Sequence, residues 1–207
     1  MPDLILREGE ASKEHTLIFY KPYKVLSSFT DPEGAHATLS DFVDVPNVYA
    51  AGRLDYDSEG LLLLTSDGFL AHRVTHPRYK LSKIYLVQVE NVPTEATLEQ
   101  LRRGVVIQGE KTKPAQIELL PAEPPIHPRA EPIRQRAAIP TTWLKITLRE
   151  GRKRQIRKMT AAVGHPTLRL IRVAIGPLTL GNLAPSQWRY LTLSEFDSLR
   201  RSLMISP

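Results

Sequence analysis

Four consecutive leucines, Leu61 to Leu64, stand directly behind three closely spaced acids, Asp55, Asp57 and Glu59, and are closed by Ser66-Asp67-Gly68. A run this short and this apolar, bounded by turn residues, fits a strand with no wet face. The acids that lead into it are thereby pressed against a core. Desolvating an unpaired carboxylate costs several kcal/mol, so acid in such a place needs a cation or a reaction. The densest supply of cations lies about a hundred residues later, in Glu150-Gly151-Arg152-Lys153-Arg154-Gln155-Ile156-Arg157-Lys158. The fold therefore has to bring two distant segments together beside that strand.

The net charge of +6 is concentrated. Residues 149–158 hold Arg149, Arg152, Lys153, Arg154, Arg157 and Lys158 against one acid, Glu150. A positive patch on a near-neutral body points to a polyanionic partner. Lys153 with Arg157 and Arg154 with Lys158 are like-charge pairs four apart, each costing about 0.2–0.5 kcal/mol in an isolated helix. Bound phosphates would relieve that repulsion; the plainer alternative is a solvated helix face. The chain has no cysteine, which excludes disulfides, thiol catalysis and cysteine-ligated metal, and is compatible with a cytoplasmic protein. Its six histidines lack metal-ligand spacing. Asp55, Asp57, Glu59 and Gly60 mimic the start of a calcium loop, but the twelfth position is Ser66 where a bidentate glutamate is required. No metal site is expected. The first ten residues show neither a basic nor an apolar leader region, so no signal peptide is expected. The longest apolar runs are four residues, far short of a membrane span, so no membrane partner is expected either.

Along the chain, residues 1–16 read as an irregular lead-in and 17–207 as one folded unit. Strands are expected at 17–20, 60–65, 83–89, 105–107, 115–119, 143–148 and within 168–180. Helices are expected at 38–43, at 69–75, after Thr94 up to Gly104, and from Gly151 to Gly164 with Ile156, Met159 and Val163 on one face. Ser194 and Asp197 resemble a capping pair for a terminal helix. Six prolines in residues 121–140 argue against regular structure and for a mobile surface loop or insertion. Strands and helices without strict βαβ alternation indicate an α+β fold around a mixed sheet.

Gly52 to Gly68, GRLDYDSEGLLLLTSDG, resembles the catalytic motif of the pseudouridine synthases that act on small- and large-subunit ribosomal RNA. Three further segments agree: Lys21-Pro22 with Val25-Leu26-Ser27, the strand Lys83-Ile84-Tyr85-Leu86-Val87, and Glu150-Gly151-Arg152 through Gln155-Ile156-Arg157. Together they span residues 17 to about 181. Ser58 and Ser66 stand where that family more often has threonine and asparagine. Only about sixteen residues precede Leu17, so the small S4-type RNA-binding domain carried by most of the family is expected to be missing.

The resemblance implies a central, largely antiparallel mixed sheet flanked by helices, with an RNA cleft across it. It also implies isomerisation of one uridine to pseudouridine in 23S ribosomal RNA, free or within an assembling large subunit, by a monomer that needs no cofactor. The target base has to leave its stack to be reached. By the resemblance, Asp55 is the nucleophile, Tyr85 stacks on the flipped uracil, and Arg157 pairs with Asp55. Arg53 fills the gap the base leaves, and Ile156 forms an apolar wall. Lys21, Arg152, Lys153, Arg154 and Lys158 are further substrate-binding candidates, with Arg169 and Arg172 as phosphate contacts. Attack at C1′ and attack at C6 both remain open. Rival readings are a non-catalytic RNA-binding or ribosome-assembly factor, and the same chemistry on transfer RNA or 16S ribosomal RNA.

Overall fold

The computed structural model describes residues 15–79, 81–133 and 139–204, so the expected lead-in falls almost wholly outside the described residues. Its first strand, β1 (Thr16–Lys21), is buried at every position. β2 (Tyr49–Ala50) is short and borders the loop that carries Asp55. β3 (Glu59–Thr65) follows and is likewise buried throughout. Next come α1 (Gly68–Thr75), β4 (Lys83–Glu90), α2 (Glu95–Arg103), β5 (Val106–Ile107), β6 (Glu110–Lys111) and β7 (Gln116–Leu119). β8 (Thr141–Leu148), α3 (Gln155–Ala162), β9 (Thr167–Ile175), β10 (Leu178–Thr179), β11 (Trp188–Tyr190) and α4 (Leu193–Ser202) complete the chain. Among the described residues no helix is long and apolar enough to cross a membrane.

The main sheet runs β11-β1-β3-β9-β4-β8-β7, with β2 added to β3 and β10 to β9, and β5 pairs with β6 apart from it. This is the α+β mixed sheet expected from the sequence. Among the described strands every pairing is antiparallel except β3 with β9, which is parallel and limited to Glu59↔Ile171 and Gly60↔Arg172. β4 lies between β8 and β9 and is laddered to both.

The leucine run shows why β3 must be so apolar. Leu61 and Leu63 enter a core shared with Leu70 and Val74 of α1 and Leu199 and Leu203 at α4. Leu62 and Leu64 enter another core with Leu17, Phe19 and Leu39. Successive side chains of a strand point to opposite faces, so both faces of β3 are covered. A third core lies under α2 and α3, where Leu98, Leu101, Ile156 and Met159 meet Val87, Ile146 and Leu148 of β4 and β8.

The helix ends follow local chemistry. Asp67, read from sequence as part of a turn, caps α1 by accepting from the amides of Phe69 and Leu70. Thr94 caps α2, and Gly104 ends it at φ +87°. The helix expected at 38–43 is a single 3₁₀ turn, Leu39–Asp41. The cap of α4 is Thr192 rather than Ser194. Thr192 Oγ1 accepts the Glu195 amide while Glu195 accepts the Thr192 amide, and Arg189 holds the glutamate from outside. Ser194 and Asp197 lie within the helix, one residue past its first position, so they cannot make the reciprocal bonds of a cap.

The described part of 121–140 has no helix or strand, as expected, but it is tied down. The His127 carbonyl accepts from Arg169 (2.9 Å), Glu131 pairs with Lys24 (2.7 Å), and the Arg129 guanidinium lies 4.0 Å from the Tyr23 ring centre. The segment forms a strap across the turn that follows β1.

Candidate functional site

A cleft of about 750 Å³ opens on the sheet and is lined by Arg53, Asp55, Tyr85, Arg152, Lys153, Arg154, Ile156 and Arg172, among others. The acidic loop between β2 and β3 supplies one wall. Ser27, from the turn after β1, fastens that loop: its hydroxyl donates to the Leu54 carbonyl (2.8 Å) and accepts the Leu54 amide (3.1 Å). Ser58, another lining residue, donates its amide to the Asp55 carbonyl (3.0 Å), which closes the turn around the acid.

The three acids of the loop have different fates. Glu59 is buried and paired with Arg169 of β9, with contacts of 3.1, 3.1 and 2.7 Å. Asp57 is gripped from α3: Arg154 makes two hydrogen bonds to it, both 2.8 Å, and Arg157 Nε lies 3.3 Å from Oδ2. Burial pushes the Asp57 carboxyl up, yet the Arg154 hydrogen bonds and the charges of Arg157 and Arg154 bring it below its ordinary value. Asp55 accepts no side-chain hydrogen bond and forms no ion pair among the described residues, and it lines the cleft. Lys21, Arg154 and Arg157 still feel its charge through space. Of the three carboxylates, it alone is uncommitted.

The basic segment enters the cleft by an unusual turn. Arg154, at the N-cap of α3, is left-handed (φ 56°), and Gln155 turns back so that its side-chain oxygen accepts the Arg152 amide (3.0 Å). This turn aims Arg154 at Asp57 and sets Ile156 as a buried wall of the cleft. Arg157 lies behind it, donating to the Asp57 carbonyl (2.6 Å) and the Thr167 carbonyl (3.3 Å). The sequence expectation that Arg157 pairs directly with Asp55 is therefore corrected. Its ion-pair partner is Asp57, two residues on, because the loop turns Asp55 into the cleft and Asp57 toward the helix.

Other sequence candidates divide the same way. Tyr85, Arg53, Ile156, Arg152, Lys153 and Arg154 all line the cleft. Arg53 and Lys153 are exposed. Arg152 braces the β5–β6 hairpin, donating to the Lys111 carbonyl (3.0 Å) and pairing with Glu110 (3.3 Å). Lys158 lies away from the cleft with its ammonium on the Gln108 side chain (2.7 Å). Lys21 is not a substrate contact: it is 0% exposed, and its ammonium donates to the carbonyls of Pro22 (2.9 Å) and Val25 (2.7 Å). Burial pulls it from the ordinary 10.5 to about 7, against the raising effect of Glu59, Asp57 and Asp55. Arg169, 5% exposed and held by Glu59, is likewise unavailable to phosphate. Arg172 is 3% exposed but lines the cleft.

Three contributors went unassigned from sequence. Ser27 was inside a noted motif, but nothing in it indicated a brace on Leu54. Asp57 was seen only as part of an acid run. Lys83 was read as a strand residue, and its place two before Tyr85, hence on the same face, was the available signal.

Residues 15–162 match the family model described as RNA pseudouridylate synthase. A curated relative from Vibrio vulnificus, "Ribosomal large subunit pseudouridine synthase E", is 55% identical over 86% of this chain and 75% of its own length. A protein of that name from Xanthomonas campestris pv. campestris is 52% identical over 84% of this chain and 93% of its own. The solved structure "Crystal structure of pseudouridylate synthase" superimposes with a TM-score of 0.75 at 30% identity, covering 91% of this chain and 75% of the other.

Proposed function

We propose that this chain, which belongs to the RNA pseudouridylate synthase family, isomerises one uridine of 23S ribosomal RNA to pseudouridine. The observation that carries the reading is the free carboxylate of Asp55 in the cleft, beside two acids that are fully engaged. A protein that only bound RNA would gain nothing from an uncommitted negative charge among its phosphate contacts. The names of the relatives support ribosomal RNA of the large subunit as the substrate class.

In this reading the target uridine is flipped out of its helix and enters the cleft. Its base lies against Tyr85 and Ile156, an aromatic face and an apolar wall; base–aromatic stacking contributes about 1–3 kcal/mol. Arg53, exposed at the rim, occupies the space the base vacates. Asp55 attacks either C1′ or C6. The N1–C1′ bond breaks, the detached base turns, and a C5–C1′ bond forms; the Asp55 carboxylate is displaced from C1′ in that step or, after attack at C6, is eliminated from C6 once the new bond is made. C5 then loses its proton and N1 gains one, so the product is an isomer and no external group is consumed. Arg154 and Arg157 position Asp55 indirectly by locking Asp57 and the turn it belongs to. Lys153, exposed at the cleft, meets the RNA backbone in this reading, while Arg152 holds the β5–β6 hairpin beside it.

The test is to map pseudouridines in ribosomal and transfer RNA of cells with the gene, without it, and with Asp55→Asn restored. The expected result is loss of one large-subunit pseudouridine, unrescued by Asp55→Asn although the variant accumulates normally. Loss of a transfer-RNA or small-subunit site would refute the substrate assignment. An unchanged map, or rescue by the Asn variant, would refute the enzymatic reading.

A further inference from the structure

We infer that Lys83 and Arg172 form an anion subsite in the floor of the cleft that holds a backbone phosphate of the flipped nucleotide while its base meets Tyr85. The inference rests on the uridine-isomerase reading and extends it to two residues that the motif comparison gave either no role or only a generic one.

The placement follows from the sheet. Lys83 and Tyr85 are two apart on β4 and share a face. Arg172 of β9 lies directly opposite Tyr85, and Ile175 lies opposite Lys83, with a register shift between Ile84 and Tyr85. All four line the cleft, together with Leu148, which pairs with Lys83 from β8. Both cations are thus carried by the most extensively laddered part of the sheet, one two residues along the strand from the ring proposed to stack on uracil and the other across from it.

Neither cation is satisfied. Arg172 is 3% exposed. Its Nε donates to the Leu61 carbonyl (2.8 Å) and its Nη1 reaches the Arg53 carbonyl at 3.5 Å, but Nη2 is buried with no partner. Lys83 is partly buried, and among the described residues its ammonium has neither a hydrogen bond nor an ion pair. Burial first, then the like charge of Arg172, pull Lys83 below its ordinary value, and no acid opposes them. The neighbouring buried cations contrast sharply: Arg169 has Glu59, Arg157 has Asp57, and Lys21 has two carbonyls and three acids nearby.

Two adjacent, desolvated, unpaired positive charges are costly unless an anion completes them. A uracil carbonyl would accept one hydrogen bond and leave the charge repulsion in place. A phosphodiester accepts from both and neutralises them, in the charge-assisted geometry arginine favours. Asp55 is not that anion, since among the described residues it makes no ion pair with either cation.

The experiment measures binding of a 23S ribosomal RNA fragment containing the mapped uridine, across a range of salt concentrations, for the wild type, Lys83→Gln and Lys83→Arg. Each phosphate contact contributes about −0.7 to −0.9 to the slope of log K against log salt. Lys83→Gln is expected to bind more weakly with a slope shallower by about one, and Lys83→Arg to keep the wild-type slope. A slope unchanged in Lys83→Gln overturns the subsite, whatever happens to affinity. Lys83→Met, which keeps an aliphatic stem in the same surroundings, replaces the Gln variant if that one does not fold. Pseudouridine formation by the wild type is recorded on the same RNA. Failure there rejects the enzymatic reading itself, whereas product with an unchanged slope rejects only the subsite.

Discussion

Asp55, Asp57 and Glu59 are separated by single residues, yet each answers to a different part of the fold: the cleft, α3 and β9. Sequence made the first of these visible because it stood in a long motif. It could not assign the cations, since a basic run gives no direction to its side chains. Arg157 was expected on Asp55 and lies on Asp57; Lys21 and Arg169 were expected on RNA and are buried. Lys21 makes this testable. Its folded-state value of about 7 lies well below the ordinary 10.5. Between those values the unfolded chain holds a proton that the native chain has released, so raising pH through that window stabilises the native state. Chemical denaturation of the wild type and Lys21→Met should give a stability difference that is flat below about pH 7 and moves in favour of the wild type as pH rises toward 10. A difference that stays level across that range would contradict the burial of this ammonium.

At the scale of elements, most strands and helices were legible because their periodicity and stop signals were strong. Gly104 and Thr94 bound α2 as read, and Trp143 to Leu148 alternates as a strand should. β2, β6 and β11 were missed, being two or three residues long and held by neighbours rather than by their own pattern. The cap of α4 was placed two residues late for a related reason: Ser194 and Asp197 have suitable types but the reciprocal bonds are made by Thr192 and Glu195. Thr192→Ala should therefore lower stability by about 1 kcal/mol, and Ser194→Ala by much less. Thermal or urea denaturation of the two variants separates them; equal losses would show that the cap has been misassigned.

Over the whole molecule, two antiparallel groups of strands meet along β3 and β9, and among the described residues their backbones pair at only two positions, with side chains such as Arg169 on Glu59 reinforcing the seam. Gly60 is one of those residues. It sits at φ +104°, and a Cβ there would lie 2.2 Å from the Arg172 carbonyl oxygen. Gly60→Ala should thus cost about 3 kcal/mol or more, through strain at a left-handed position and loss of close strand approach. A melting temperature matching the wild type would overturn that account. No reading of local pattern could have revealed the junction, since it is made by residues more than a hundred positions apart.

That narrow parallel join has a mechanical meaning. The acid proposed to attack is borne by the chain entering one plate of the molecule, while the ring proposed to stack and the two unsatisfied cations belong to the other. Their separation is therefore governed by how the plates are clamped, and a slip of about 1 Å between reacting groups is enough to cost roughly a hundredfold in rate. Damage confined to the clamp would yield a protein that keeps its secondary structure and still holds RNA, yet turns over almost none of it.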